Sequence, residues 1–160
     1  MKSLLIIFSF LFALTSTGQD CQKKFSKNVD PFEPTKVNFF QKGGLLAISQ
    51  MKMSKFVDST SVAYYLSITG SGFLDVDGKG CSILFEDGSK LEFPNEKIDV
   101  EVNAQASYNF KAFVLLSDSD LAALKSKTVK LYRLNGMDTE AWKTTKQKIK
   151  EAANCIEALN

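Results

Sequence analysis

The chain has 160 residues, with 20 Lys and Arg against 18 Asp and Glu, three cysteines and no histidine. So even a balance lacks the cationic surface that phosphate-backbone binding requires, which excludes a nucleic-acid partner. Without histidine there is no Ser-His-Asp or Cys-His catalysis, no histidine metal site and no ordinary near-neutral general base.

Residues 1–18 read as a cleavable secretory signal peptide. Lys2 supplies the positive start, and Leu4 to Leu14 form an apolar run interrupted only by Ser9. That run is short of the roughly 20 residues a membrane-spanning helix needs. Ser16 and Gly18 then offer the small side chains a signal peptidase accepts, placing the cut before Gln19. Cys21 follows Asp20 rather than a small residue, so the pattern is not that of a lipoprotein. Cleavage leaves about 142 residues with no membrane span, enough for one core burying roughly 68–70% of the unfolded chain's surface. The protein is expected in the periplasm or outside the cell.

Residues 19–36 hold two of the three prolines and many charges, among them Lys23, Lys24 and Lys27. They read as an extended lead-in to a single β-rich domain spanning 37–160. Leu45 to Met53 alternates at strand period, and Val62, Tyr64, Leu66 and Ile68 share one face of a second strand. Gly80 to Glu86, the turn Asp87-Gly88-Ser89 and Lys90 to Phe93 make a β-hairpin. Ile98, Val100 and Val102 alternate with Asp99 and Glu101, a strand with one wet face; Tyr108 to Leu116 is more apolar and central.

Ser117 and Asp120 form a capping box that opens a short helix. Thr128 to Leu134 returns as a strand, and Asn135-Gly136 turns the chain. Asp138 then caps a long amphipathic helix over Thr139 to Leu159, with Trp142, Ile149, Ala153 and Ile156 as its apolar stripe. No strand–helix–strand alternation supports a parallel sheet. The fold class is therefore mainly β (α+β): an antiparallel sandwich or partly open barrel with the long helix packed on the sheet.

In an oxidising compartment three cysteines allow one internal pair. Cys81 shares a strand face with Ile83 and Phe85, as a small buried hydrophobe would. Cys155 falls about 110° from the centre of the helix stripe, on a flank that can meet the N-terminal segment. A Cys21–Cys155 disulfide is expected, with Cys81–Cys155 as the alternative.

The segments DPFEPTK at 30–36, LFEDGSKL at 84–91, LSDSDLAALKSKTVKLYRL from Leu116 and the closing Lys-rich helix with Cys155 resemble small exported proteins of Bacteroidota. The resemblance spans most of the mature chain. It implies a single exported domain and brings no activity, cofactor or functional residue with it.

Three chemical patterns need weighing. Asp75, Asp77, Gly80 and Glu86 match positions 1, 3, 6 and 12 of a calcium loop, but Lys79 puts a cation at position 5 and both flanks read as strands. A Gly-containing turn is the simpler account. Glu86 with Asp87, or Asp118 with Asp120, could pair as a hydrolase's carboxylates, yet the residue types serve a turn and a helix start. An open barrel lined by Phe39, Phe40, Phe73, Phe110 and Phe113 could hold a small apolar ligand. No cofactor is implied. The expectation is an exported non-catalytic domain that binds an envelope protein or serves structurally, with an apolar-ligand carrier as the alternative and a hydrolase third.

Overall fold

A computed structural model describes residues 20–42, 50–72, 80–102 and 107–160. The signal segment, Phe73, Asp75 and Asp77 lie outside the described residues.

Strict alternation along the chain makes the strands. In β8 (Tyr108–Leu116) the even positions Phe110, Ala112, Val114 and Leu116 are buried and the odd ones from Asn109 to Leu115 face out. β4 (Val62–Gly72) pairs with it antiparallel and buries Leu66 and Ile68 on the same side. β3 (Met51–Val57) adds Met51 and Met53, and β2 (Val37–Gln41) adds Phe39. With β1 (Phe25–Val29) at one edge and β7 (Ile98–Val102) at the other, the six-stranded sheet runs β1-β2-β3-β4-β8-β7. A second antiparallel sheet runs β10-β9-β5-β6, from β10 (Met137–Glu140), β9 (Val129–Leu134), β5 (Cys81–Phe85) and β6 (Lys90–Phe93).

The sheets do not close into a barrel. The inner face of the larger one is covered from two directions: β9 lies over β4 and β8, while α2 (Lys143–Cys155) packs on β3. α1 (Asp118–Ser126) wedges between α2 and β8. Ile83, Phe85, Leu121, Leu124, Tyr132 and Ile149 fill the space between the layers. The architecture is thus an antiparallel α+β sandwich whose second layer is part sheet, part helix.

Several local expectations meet their geometry. Ser117 Oγ accepts from Asp120 N at 3.2 Å and the Asp120 carboxylate accepts from Ser117 N at 2.9 Å, the reciprocal capping box. Gly88 takes φ +84 in the β5–β6 turn, where Asp87 accepts from Ser89 N at 2.9 Å.

Two expectations are corrected. The lead-in does not stand apart from the sheet: 20–24 are helical and Phe25–Val29 forms an edge strand in full register with Val37–Gln41. The prolines Pro31 and Pro34 belong to the loop between β1 and β2, which Asp30 organises by accepting from Phe32 N and Glu33 N. Charge and proline are what a protected edge looks like, since an edge strand must refuse further pairing. The second correction concerns Asp138 and Thr139. They do not open a helix but lie in β10, because Asn135 (φ 52) and Gly136 (φ 75) form a two-residue turn that folds Met137 back onto Leu134. The helix starts at Lys143; Trp142 has extended backbone and its ring leaves the apolar stripe, 56% exposed.

Cys21 and Cys155 are joined, with 2.05 Å between the sulfurs, and Cys81 is a free buried thiol. Burial, and less strongly Glu96, pushes the Cys81 thiol up to about 12. The β1 segment and the C-terminal segment are also held together by Lys24 on Glu151 at 2.7 Å and Lys27 on the Asn160 carbonyl at 3.1 Å. Lys55 points inward from β3, 6% exposed, and donates to the carbonyls of Leu159 at 2.6 Å and Glu157 at 3.3 Å. It ties β3 to the turn Ile156–Ala158 that follows the helix, where terminal carbonyls lack helical partners. Burial lowers its pKa against the opposing pull of Glu157.

Candidate functional site

The outer face of the six-stranded sheet divides into an apolar half and a polar half, and the division follows from which residues alternate outward. Outward positions of β4 read Ala63, Tyr65, Ser67, Thr69 and Ser71. Those of antiparallel β8, read backwards, are Leu115, Phe113, Lys111 and Asn109, so that Tyr65 faces Leu115 and Ser67 faces Phe113. Apolar residues collect at one end of both strands and polar ones at the other.

At the apolar end four rings form a network. Phe56 meets Phe40 edge-on at 5.7 Å, Tyr65 at 5.1 Å and Phe113 at 6.2 Å between centroids. Tyr65 and Phe113 stack at 4.7 Å with 10° between their planes. The cluster is open to solvent: Phe40 and Phe113 are each 38% exposed, and neighbouring Leu115 is 58% exposed. A concavity of about 330 Å³ runs beside Phe56, Tyr65 and Phe113 and is rimmed by Asp30, Lys36 and Asp58. Asp58 is held rigid. It accepts from Thr60 N at 2.7 Å, Ser61 N at 2.8 Å and Ser61 Oγ at 2.9 Å, bonds led by the Thr60 amide that bring its carboxyl down to about 2.

At the polar end a groove of about 680 Å³ crosses β3, β4, β8 and β7. Its floor is Ser67, Thr69, Ser71 and Asn109, with Lys52, Lys111, Asp99 and Glu101 at the sides. Asp99 lies opposite Lys111 in the ladder and pairs with Lys97 at 3.0 Å; Glu101 lies opposite Asn109. Trp142 closes one end, held where its backbone N–H donates to Gln50 Oε1 at 2.9 Å. The same Gln50 donates to the Glu140 carbonyl at 3.2 Å, and Tyr132 donates to the Thr69 carbonyl at 2.9 Å, which fixes the groove's inner wall.

No protein-family model, curated protein or solved structure matches this chain. The site must therefore be read from its own chemistry.

The residues singled out from the sequence fall elsewhere. Glu86 pairs with Lys146 at 3.2 Å and Asp87 with Lys127 at 3.1 Å; the Ser89 hydroxyl, before the other contacts, brings the Asp87 carboxyl down to about 2. Asp118 and Asp120 are first-turn residues of α1, and Asp120 is occupied by its cap. Among the described residues no three of Cys, Asp and Glu gather as a metal site. Of the rings proposed to line one lumen, Phe39 and Phe110 are buried in the core while Phe40 and Phe113 stand on the outer face. That is a correction with a simple cause: odd and even positions of a strand point opposite ways, so these four cannot share a cavity.

The outer-face cluster had a sequence signal that was not used. Adjacent aromatic pairs, Phe39-Phe40 in β2 and Tyr64-Tyr65 in β4, must put one ring on each side of a strand. Where one side is core, the other is an aromatic surface.

Proposed function

We propose that this chain is an exported, non-catalytic binding domain that docks an envelope protein through the apolar half of its outer sheet face. The observation that carries this reading is the open cluster of Phe40, Phe56, Tyr65 and Phe113 beside Leu115, on a sheet whose opposite face is already filled by core. Cross-strand ring pairs stabilise a sheet by about 0.2–1 kcal/mol each, but that role gives no reason to leave Leu115 and two Phe rings in water. An apolar centre with a charged rim of Asp30, Lys36 and Asp58 is the composition of a protein interface. The ring geometry favours a protein over a polysaccharide. Sugars stack on ring faces, and here Tyr65 and Phe113 each turn one face to the other, which leaves less ring face for a sugar. The disulfide joining the two ends of the chain is compatible with an oxidising compartment.

The test places a photo-crosslinking residue at Leu115 in the protein expressed in its own cells, with the same residue at exposed Glu92 on the other sheet as control. A discrete adduct from Leu115, absent from Glu92 and lost in a Phe113→Lys background, supports the reading. Equal adducts from both positions, or no Leu115 adduct at all, overturn it. So does an adduct with the mass of two copies of this chain, which assigns the face to self-association.

A further inference from the structure

We propose that the polar groove ending at Trp142 is a separate binding site for an uncharged oligosaccharide. The inference does not depend on the aromatic half of the face.

Three features point to this ligand class. First, the floor offers the hydroxyl and amide groups of Ser67, Ser71 and Asn109 on two neighbouring strands, beside Thr69, whose hydroxyl already donates to the Gln50 carbonyl at 3.4 Å. Such groups both donate and accept, which matches a sugar hydroxyl that must do both. Second, the charges at the sides nearly cancel: Lys52 and Lys111 stand against Glu101 and against Asp99, which is itself paired with Lys97. A groove of that balance has too weak a net field to select a phosphate or a polycation, while the exposed Glu101 carboxylate can still take hydrogen bonds from ring hydroxyls. Third, the chain's one tryptophan stands at the end of this groove, more than half exposed, on backbone fixed by Gln50. Trp142 caps no helix with its side chain and left the apolar stripe of α2, so helix packing does not account for it. An indole face beside hydroxyl-binding groups is the surface on which the C–H side of a sugar ring packs, burying apolar area while the ring's hydroxyls turn to the floor. A volume of about 680 Å³ suits a ligand of about two to three sugar rings. An apolar lipid fits poorly, since it would strip water from four charged side chains without replacing their hydrogen bonds.

The solitary tryptophan makes the experiment direct, because intrinsic indole fluorescence reports this site. The mature, disulfide-bonded protein is titrated with neutral tetrasaccharides of glucose, mannose, galactose and N-acetylglucosamine, followed by fluorescence and by calorimetry. At least one series is expected to shift or quench the Trp142 emission saturably. Trp142→Ala should weaken its calorimetric affinity by about tenfold or more, as loss of a buried stacking surface does. Asn109→Ala, which keeps the indole, should weaken it by about fivefold as one neutral hydrogen bond is removed. Phe113→Lys, in the other half of the face, should leave it unchanged. If none of the four binds, if binding survives Trp142→Ala undiminished, or if only a protein partner perturbs the indole, the proposal is wrong. Failure here leaves the Leu115 crosslink untouched, and the reverse also holds.

Discussion

Reducing or removing the Cys21–Cys155 bridge should cost this domain a large part of its stability while leaving the native fold in place. The two cysteines are 134 residues apart in sequence, so the bridge closes a very long loop. Chain-entropy reasoning gives about 17 cal/mol/K for a loop of that length, or about 5 kcal/mol at 25 °C, and a denatured chain that keeps some structure lowers this towards about 3 kcal/mol. The native state has other holds on the same segment: the five-residue ladder of β1 with β2, Lys24 on Glu151 and Lys27 on the Asn160 carbonyl. Cys21→Ala should therefore fold, with wild-type circular dichroism, and melt about 10–20 °C lower. Guanidinium unfolding should show a steeper dependence on denaturant, because the unlinked unfolded chain exposes more surface. Labelling checks the pairing independently. Cys81 is buried with its pKa raised to about 12, so native unreduced protein should resist maleimide and denatured unreduced protein should label at Cys81 alone. A stability loss below about 1 kcal/mol would refute the loop-entropy argument, and a label at Cys21 would refute the pairing itself.

Two further outcomes follow from the turns. Gly80 has φ +85, and a Cβ there would lie 2.8 Å from the Pro94 carbonyl oxygen and 2.9 Å from that of Phe93, whereas Gly88 has φ +84 with open space around it. Gly88→Ala should cost about 1 kcal/mol and Gly80→Ala about 2–3 kcal/mol, measured by denaturant unfolding; equal losses would contradict the steric account. Asp58 and Asp87 both have carboxyls held at about 2 by turn hydrogen bonds, below the ordinary carboxylate value, so their stabilisation is complete above about pH 4 and is lost as pH falls towards 2. Asp58→Asn should lower the melting temperature at pH 6 and match the wild type at pH 2; a constant difference across that range would show that the charge is not the cause.

What could be read from the sequence was whatever short range decides. The strand at Tyr108–Leu116, the Ser117–Asp120 capping box and the Asp87-Gly88 turn each depend on residues within a few positions of one another. What was missed depends on partners far along the chain. Phe25–Val29 looks like solvated linker until Val37–Gln41 lies beside it, and Lys55 looks like an outward charge until the end of the chain, a hundred residues on, presents it with two carbonyls. At β10 the local signal was present and was outweighed: Asn135-Gly136 is the two-residue hairpin turn, but the polar run after it also reads as a helix start.

The candidate site eluded a strand-by-strand reading for a related reason. Within β4 the outward series from Ala63 to Ser71 is an ordinary mixture, and so is that of β8. Only the antiparallel register shows that the two series run apolar to polar towards the same end, with Ser67 against Phe113 marking the boundary. A face that met only water would have no need of this ordering, because solubility is served as well by rings and hydroxyls interspersed. Segregation is costly, since it gathers scattered apolar surface into a patch that invites association. Its presence on the adjacent strands β3, β4 and β8 is the pattern that the two proposed ligands, of different character, would each select at their own end. Substitutions at Phe113 and at Trp142 should then act on separate binding events, and a change at Ser67, where the halves meet, is the one position expected to disturb both.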